Sequence, residues 1–213
     1  MINIGNRAVI TTRDNFKNNG IGVYLHWNGG RDSIEGFLKY CELRGFRAPD
    51  DDNYGWARLT QVIANFFGAD GLSVGVDTID HLDCDNGDNG VYFIKGWDIV
   101  GRAYFDDGEE QDEYDLDEML KVIDEHQPLA QQLGGFLSSE EIDASQLKVG
   151  DQVYVRTING TYQLVEIQDF GDGRIVNGLD TTGLPYAEIV GGFLGKNNCN
   201  NYITAKRVRI ARS

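Results

Sequence analysis

Residues 20–44, GIGVYLHWNGGRDSIEGFLKYCELR, decide the fold, because the pattern changes there from strand to helix. Residues 20–27 are rich in β-branched and aromatic side chains, which predicts a strand. After the glycine pair, apolar residues recur at the spacing i, i+3, i+4, i+7, which predicts a helix over residues 33–44. These apolar residues are Ile34, Phe37, Leu38 and Cys41. A strand that leads directly into a helix indicates an α+β fold.

Further helices are predicted downstream. Apolar residues at helical spacing over residues 56–67 end at Gly68, and a third amphipathic run over residues 116–123 stops before Pro128. Residues 138–144 have the pattern of a short capped helix, which we expect to join the two halves of the chain.

Four strand-like runs accompany these helices in the N-terminal part. Residues 7–12 and 20–27 are joined by an Asn- and Gly-rich segment, which predicts a β-hairpin. Residues 73–79 and 91–100 are joined by a segment with two Asn-Gly pairs, which predicts a second hairpin. We therefore expect an N-terminal antiparallel sheet with two or three packed helices, in an acidic α+β domain of residues 1–130.

The character of the chain changes after a predicted helical linker at residues 131–145. Residues 146–213 contain five short strand-like runs separated by turns, which predicts a small all-β barrel domain. The entry to this domain, LKVGDQVYV at residues 147–155, resembles that of SH3-like barrels, which often bind peptides or nucleic acid. A barrel alone assigns no function.

Negative charge is concentrated in the N-terminal part. The net charge is −15, and residues 145–213 contribute eight Lys and Arg against six acids, so residues 1–144 carry −17. Such a charge repels nucleic acid and anionic membranes over about 8 Å in physiological salt, and it attracts basic partners. Direct nucleic-acid binding is therefore disfavoured for the N-terminal domain and stays open for the C-terminal barrel.

The most acidic segment, residues 106–125, holds eleven carboxylates and one lysine. It has three interpretations: a solvated loop that leads into the positive N-terminus of a helix, a surface that docks on a basic groove, and a site of metal capture. The function that we favour for the whole protein depends on the second interpretation, with a basic partner such as a host nucleic-acid-binding effector. The candidate partner-binding residues are Asp106, Asp107, Glu109, Glu110, Asp112, Glu113 and Asp115.

Hard oxygen ligands of the kind that calcium prefers gather within residues 77–88. The weak metal candidates there are Asp83, Asp85 and Asp88. Counted from Asp83, the glycine and acid positions do not follow the register of an EF-hand, so a polar β-turn is the preferred interpretation. His81 beside these acids keeps an alternative function open, a divalent-metal-dependent hydrolase or nucleotide-handling protein. No cofactor is predicted.

The glycine pair before the first long helix is a weak candidate for an anion site. Free backbone N–H groups at a helix start, together with Gly29, Gly30 and Arg31, suit a phosphate, although Asp32 opposes one. The pattern matches neither the P-loop nor the dinucleotide-binding fingerprint. No nucleophile with an adjacent base is recognisable, and the three histidines are scattered. The sequence thus predicts no catalytic residues and favours a protein that is not an enzyme.

Nothing in the sequence predicts export or membrane insertion. The first residues lack a basic stretch followed by an apolar one, and no segment approaches about 18 uninterrupted apolar residues. Three separate cysteines fit a reducing compartment. We therefore expect a cytoplasmic protein.

Three segments carry a resemblance to other proteins. YLHWNGG at residues 24–30, DNYGWARL at 52–59 and LDCDNGDNGVY at 82–92 resemble a family of uncharacterised proteins carried by phages and mobile elements. The resemblance covers residues 1–102 and implies no chemistry. It implies a bacterial host cell as the setting, and by association an antagonist of host defence, such as an anti-CRISPR protein that obstructs an effector nuclease. An accessory protein of the element fits the same residues.

Overall fold

The computed structural model divides the chain into two compact units, Met1–Leu129 and Ala130–Ser213, which are described separately. The residues that the structure describes are 5–50, 53–68, 73–104, 113–143, 146–148, 150–156, 161–169, 174–177, 186–189, 192–197, 200–203 and 207–211. Side chains are described up to residue 167 and again from residue 207.

A five-stranded sheet forms the centre of the first unit. Its strands are β1 (Ala8–Thr12), β2 (Ile21–Leu25), β3 (Val74–Thr78), β4 (Val91–Lys95) and β5 (Asp98–Ala103), in the spatial order β3-β2-β1-β4-β5. Neighbouring strands are antiparallel except β1 and β4, which run parallel. The α+β class is thus confirmed, and the sheet is mixed.

The predicted antiparallel sheet and its second hairpin are therefore wrong in their pairing. The strand of residues 74–78 pairs with β2, and β4 pairs with β1 over the register Val9↔Val91 to Thr12↔Ile94. The run of residues 91–100 is itself cut at Gly96, whose φ of 62° makes the turn between β4 and β5. The spacing of apolar residues reveals a strand but does not identify its partner.

Within the described residues, four helices accompany the sheet, and three of them were predicted. They are α1 (Arg13–Lys17), α2 (Arg31–Leu43), α3 (Asn53–Phe67) and α4 (Leu116–Glu125). The short helix α1 was not predicted. Its N-cap is Thr12, whose hydroxyl accepts a hydrogen bond from the Asn15 backbone N–H at 3.1 Å. Of the helices that the structure describes, none has the length and apolar character needed to cross a membrane.

The sheet buries side chains on both faces. Val9, Val91 and Phe93 form a core on one face, with Phe16 of α1 packed against them. Because side chains alternate along a strand, Ile10, Tyr92 and their neighbours point to the other face, where α2 and α3 contact the sheet. The helical side contains the largest buried residues, including Phe37, Tyr40, Leu59 and Ile63.

The second unit contains an antiparallel sheet. Its strands are β6 (Glu140–Asp143), β7 (Gln152–Arg156), β8 (Tyr162–Asp169), β9 (Arg174–Asn177), β10 (Tyr186–Ile189), β11 (Gly192–Asn197), β12 (Asn200–Ile203) and β13 (Arg207–Ile210). Their order is β10-β11-β12-β9-β8-β7-β13-β6, and β10 also pairs with β7 at one position, Glu188↔Arg156. A closed barrel is not established among the described strands, so the SH3-like barrel stays a prediction.

The predicted joining helix over residues 138–144 is wrong. A short 3₁₀ helix at Gly134–Ser138 is followed by the strand β6, which pairs with β13. The pairing joins acidic β6 to basic β13, with Arg207↔Asp143 and Arg209↔Glu141 as register partners and the Arg207 Nε 3.0 Å from Glu141 Oε1. Ile142 of β6 also packs against the core of the second unit.

Candidate functional site

Only the C-terminal part of the acidic segment, residues 113–125, lies within the described structure. Asp106, Asp107, Glu109, Glu110 and Asp112 lie outside the described residues. The described part consists of four exposed carboxylates at the start of α4, which we call the α4 acidic edge. Its members are Glu113, Asp115, Asp117 and Glu118.

The α4 acidic edge is uncompensated by basic residues of the described structure. Within those residues, none of its four carboxylates forms an ion pair with a lysine, arginine or histidine. Asp115 has a structural role as well, because it caps α4 by accepting a hydrogen bond from the Glu118 N–H at 2.9 Å. The edge is therefore a local concentration of negative charge on a fixed helix end.

Contacts with α2 fix the position of α4. Gly36 lets the two helices approach closely, since a Cβ there would lie 2.8 Å from Met119 Cγ and 3.0 Å from Ile123 Cδ1. The Tyr114 hydroxyl donates to Glu35 on α2, beside Arg31. This packing fixes the position of the helix end at which the carboxylates of the edge lie.

A buried polar contact joins the same two helices. The Tyr40 hydroxyl donates to Asp124 Oδ1 at 2.6 Å, and both side chains are excluded from solvent. Burial, and then the hydrogen bond and charge of Asp124, raise the pKa of Tyr40 far above its ordinary value, while nearby Arg44 opposes this shift. The contact thus needs a neutral tyrosine.

At the predicted anion site, the positions of Gly29 and Gly30 are explained by the fold itself. Gly29 donates its N–H to the Asn6 carbonyl at 2.7 Å, and a Cβ at Gly29 would lie within 2.7 Å of the backbone of residues 6–8. Gly30 is the N-cap of α2, and Arg31 lies 3.4 Å from Glu35. These residues therefore bring the loop against the start of β1, and Arg31 is paired within its own helix.

Two of the three metal candidates, Asp83 and Asp88, form ion pairs with Arg7. The Arg7 Nε lies 2.6 Å from Asp88 Oδ2, its backbone N–H donates to the same oxygen at 3.0 Å, and its Nη1 lies 3.5 Å from Asp83. Asp85 is exposed. No group of three or more His, Cys, Asp or Glu side chains in the part of the chain that the structure describes is placed to hold a metal ion. Arg7 thus supplies the positive charge that Asp83 and Asp88 face in this turn.

His81 contacts Asp77 rather than the metal candidates Asp83, Asp85 and Asp88. Its Nδ1 is 3.3 Å from Asp77 Oδ1, and the Thr78 hydroxyl donates a hydrogen bond to Asp80 Oδ1 at 2.6 Å. The hydrogen bond to Asp77, with the charges of Asp80 and Asp77, raises the pKa of His81, and both the imidazole ring and the Asp77 carboxylate are exposed. This arrangement is a polar turn on the surface of the first unit.

A cavity of about 580 Å³ lies in the first unit, and sequence patterns did not predict it. It opens at the carboxyl ends of β1 and β4, between α1, the β4–β5 turn and the start of α3. Its lining combines a buried indole, apolar side chains and charged groups of both signs. Representative members are Arg13, Asp50, Asn53, Trp56, Ile94 and Lys95. Only the parallel pairing of β1 with β4, which periodicity does not encode, brings these residues together.

The basic C-terminal strand is largely engaged within its own unit. Val208 is buried, and Arg207 pairs with Glu141. The Arg209 Nη1 donates to the Ser139 carbonyl at 3.2 Å, and its guanidinium lies 5.1 Å from the centre of the Phe136 ring. Apolar and basic side chains therefore alternate along β13.

Comparisons with protein-family models, with curated proteins and with solved structures found no match to this chain. The resemblance to phage and mobile-element proteins therefore stays a prediction. Function has to be inferred from the charges and cavities of the molecule itself.

Proposed function

We propose that this protein is a non-enzymatic binding protein whose acidic N-terminal unit docks on a basic surface of another protein, of the kind found in nucleic-acid-binding grooves. The α4 acidic edge is the observation that carries the proposal. Its four exposed carboxylates follow directly on the seven-residue stretch 106–112, which adds five more carboxylates in the sequence.

The physical basis is electrostatic steering. A one-signed cluster accelerates encounter with an oppositely charged surface and selects against partners of like charge. Carboxylates on a fixed helix end also lose little conformational entropy on binding, compared with carboxylates on a flexible chain. An acidic surface of this type competes with the phosphates of nucleic acid for the same lysines and arginines.

The setting that we propose is a bacterial host cell, with a defence nuclease of the CRISPR type as the basic partner. This step depends on the resemblance of residues 1–102 to phage and mobile-element proteins. For the second unit we propose an SH3-like barrel that supplies an additional contact, to the partner or to its nucleic acid.

The test begins with capture of partners from bacterial lysate at low and high salt, followed by binding of the recovered protein in purified form. Association should slow steeply as salt rises, and a short nucleic-acid duplex should compete. A variant with Asn or Gln at the six acidic positions of residues 106–113 should lose binding without any fall in its melting temperature. Asp115 is left unchanged in that variant, because it caps α4.

A matched pair of double variants separates local from total charge. Glu113→Gln with Asp117→Asn removes two charges from the α4 acidic edge, whereas Asp85→Asn with Asp98→Asn removes two exposed charges elsewhere in the same unit. We expect only the first pair to slow association substantially. Equal slowing by both pairs, or association that is insensitive to salt, contradicts the proposal.

A further inference from the structure

Asn-Gly pairs are chemically labile positions in this chain. Because glycine has no side chain, its amide nitrogen can approach the Cγ atom of the preceding asparagine, and such pairs are prone to deamidation. Among the residues whose side chains the structure describes, these pairs lie at 19–20, 28–29, 86–87 and 89–90. Their reactivity depends on whether the fold keeps the two reacting groups out of the geometry of attack.

At three of these pairs a hydrogen bond holds the glycine amide. The N–H groups donate from Gly20 to the Asn15 carbonyl at 2.7 Å, from Gly29 to the Asn6 carbonyl at 2.7 Å, and from Gly90 to Asn86 Oδ1 at 3.0 Å. The Gly87 N–H has no hydrogen-bond acceptor among the described residues. At the fourth pair, protection therefore depends on the asparagine side chain alone.

Four hydrogen bonds hold the carboxamide of Asn86, which is only 4% exposed. Its Oδ1 accepts from the N–H groups of Asp88 and Gly90 at 3.1 and 3.0 Å. Its Nδ2 donates to the carbonyls of Asp83 and Gly90 at 3.0 and 3.3 Å. Attack needs the Gly87 nitrogen within about 3–3.5 Å of Cγ and aligned with it, and rotation of the carboxamide toward that nitrogen gives up these bonds. The same rotation releases the Gly90 N–H.

We propose that Asn86–Gly87 is a latent deamidation site, protected in the folded loop and modified when residues 83–90 open. The Gly87 amide loses its proton to a base and its nitrogen bonds to Asn86 Cγ, while the carboxamide C–N bond breaks and the nitrogen leaves as ammonia with a proton from the base. Water then opens the cyclic imide to aspartate or isoaspartate, so that one water is consumed and one ammonia released.

The modification prevents the loop from closing as before. The product has a negative charge and lacks the amide donors that bind the carbonyls of Asp83 and Gly90. This site is separate from the α4 acidic edge, and its test does not depend on the proposed function.

Arg7 is the residue that ties this loop to the sheet. Its Nε lies 2.6 Å from Asp88 Oδ2, and its carbonyl accepts from the Asn89 N–H at 3.1 Å. A reaction that requires an open loop proceeds in proportion to the population of the open form. Removal of the guanidinium should therefore accelerate deamidation of Asn86 without any change at Asn86 itself.

The experiment is incubation of the full chain in mildly alkaline buffer, with and without urea, followed by peptide mapping with mass spectrometry. We expect residue 86 to deamidate at least about tenfold faster in urea than in the folded chain. Without urea, Arg7→Gln should raise the rate at residue 86 about tenfold, the effect of one charge-assisted hydrogen bond. Lys121→Gln removes the same charge from the exposed side of α4 and should leave the rate unchanged.

The pair Asn19–Gly20 is the internal reference, because its hydrogen bonds go to Asn15 and Asp80 and not to the loop of residues 83–90. Its rate should stay the same in Arg7→Gln, whereas global unfolding would raise the rates at residues 19 and 86 together. Equal rates at residue 86 with and without urea, an unchanged rate there in Arg7→Gln, or equal acceleration at residues 19 and 86 in that variant overturns the proposal.

Discussion

Tyr40 places a hydroxyl group inside the interface between α2 and α4, where water cannot replace its partner. It donates to Asp124 at 2.6 Å, and Asp124 is only 5% exposed. A carboxylate in such surroundings depends on every donor that it has, because the desolvation of a charge is compensated only by hydrogen bonds and opposite charges. The hydroxyl therefore contributes more to the stability of the fold than the small surface area that it buries would suggest.

Tyr40→Phe removes this donor without changing the ring. We expect a loss of about 1–3 kcal/mol in the free energy of unfolding at pH 7. Since burial raises the pKa of Tyr40, the folded state keeps a proton that the unfolded state loses above its ordinary pKa of 10.0. The contribution is thus complete below pH 10 and falls as the pH rises further, so the difference between wild type and variant should shrink there.

Urea denaturation from pH 7 to pH 11 measures this difference. Tyr104→Phe is the control, because its side chain is 54% exposed and the substitution should leave the free energy of unfolding at pH 7 unchanged. If the free energies of unfolding of wild type and Tyr40→Phe differ by the same amount over the whole pH range, the pKa of Tyr40 is not raised in the folded state.

At the N-terminal end of α4, Asp115 both caps the helix and contributes negative charge to the α4 acidic edge. Substitutions at Asp115 can separate these two roles. Asp115→Ala removes the cap and should lower the free energy of unfolding by about 1 kcal/mol. Asp115→Asn keeps a good capping side chain and removes the charge, so it should be almost neutral for stability. Urea denaturation of both variants measures the effect, with Asp117→Asn as a control that removes charge from the first turn without removing the cap. Equal losses for the Ala and Asn variants would contradict the capping role.

Among the elements, those with strong local patterns were predictable from the sequence. The i, i+3, i+4, i+7 spacing of apolar residues that begins at Ile34 and includes Phe37, Leu38 and Cys41 predicted α2, and similar spacing predicted α3 and α4. Strand pairing was not predictable, because the parallel contact of β1 with β4 joins segments about 80 residues apart. The strand β6 was missed because it forms by pairing with β13, more than 60 residues later in the chain, a contact that local propensity does not register.

The candidate sites follow the same division. Composition alone revealed the acidic segment, since charge needs no knowledge of the fold. The roles of Gly29 and Asp88 needed the structure: the first meets the backbone of residues 6–8, and the second pairs with Arg7, which lies 81 positions away in the chain. The cavity depends wholly on tertiary contacts, because its lining residues come from segments that lie far apart in the chain.

For the whole molecule, charge divides unequally between the two units. Residues 1–129 contain 25 acidic and 11 basic residues, whereas residues 130–213 contain nine acidic and eight basic residues. The three acids of β6 belong to the second unit, opposite basic β13. The first unit therefore carries nearly all of the net charge of −15, and self-repulsion opposes its compact state.

This asymmetry leads to an expectation for the two units expressed separately. Residues 1–129 contain their own buried core on both faces of a sheet, so we expect that fragment to unfold in one cooperative transition. Its melting temperature should rise with sodium chloride from about 0.02 to 0.5 M, by roughly 5 °C, because added ions screen the repulsion among its carboxylates. Residues 130–213 carry almost no net charge and should show a much smaller rise. Circular dichroism melts at several salt concentrations measure both, and potassium chloride in parallel distinguishes screening from binding of a particular ion. A first unit whose stability is indifferent to salt would mean that its negative charges lie too far apart to repel one another, and the α4 acidic edge would then be too weak to steer a basic partner.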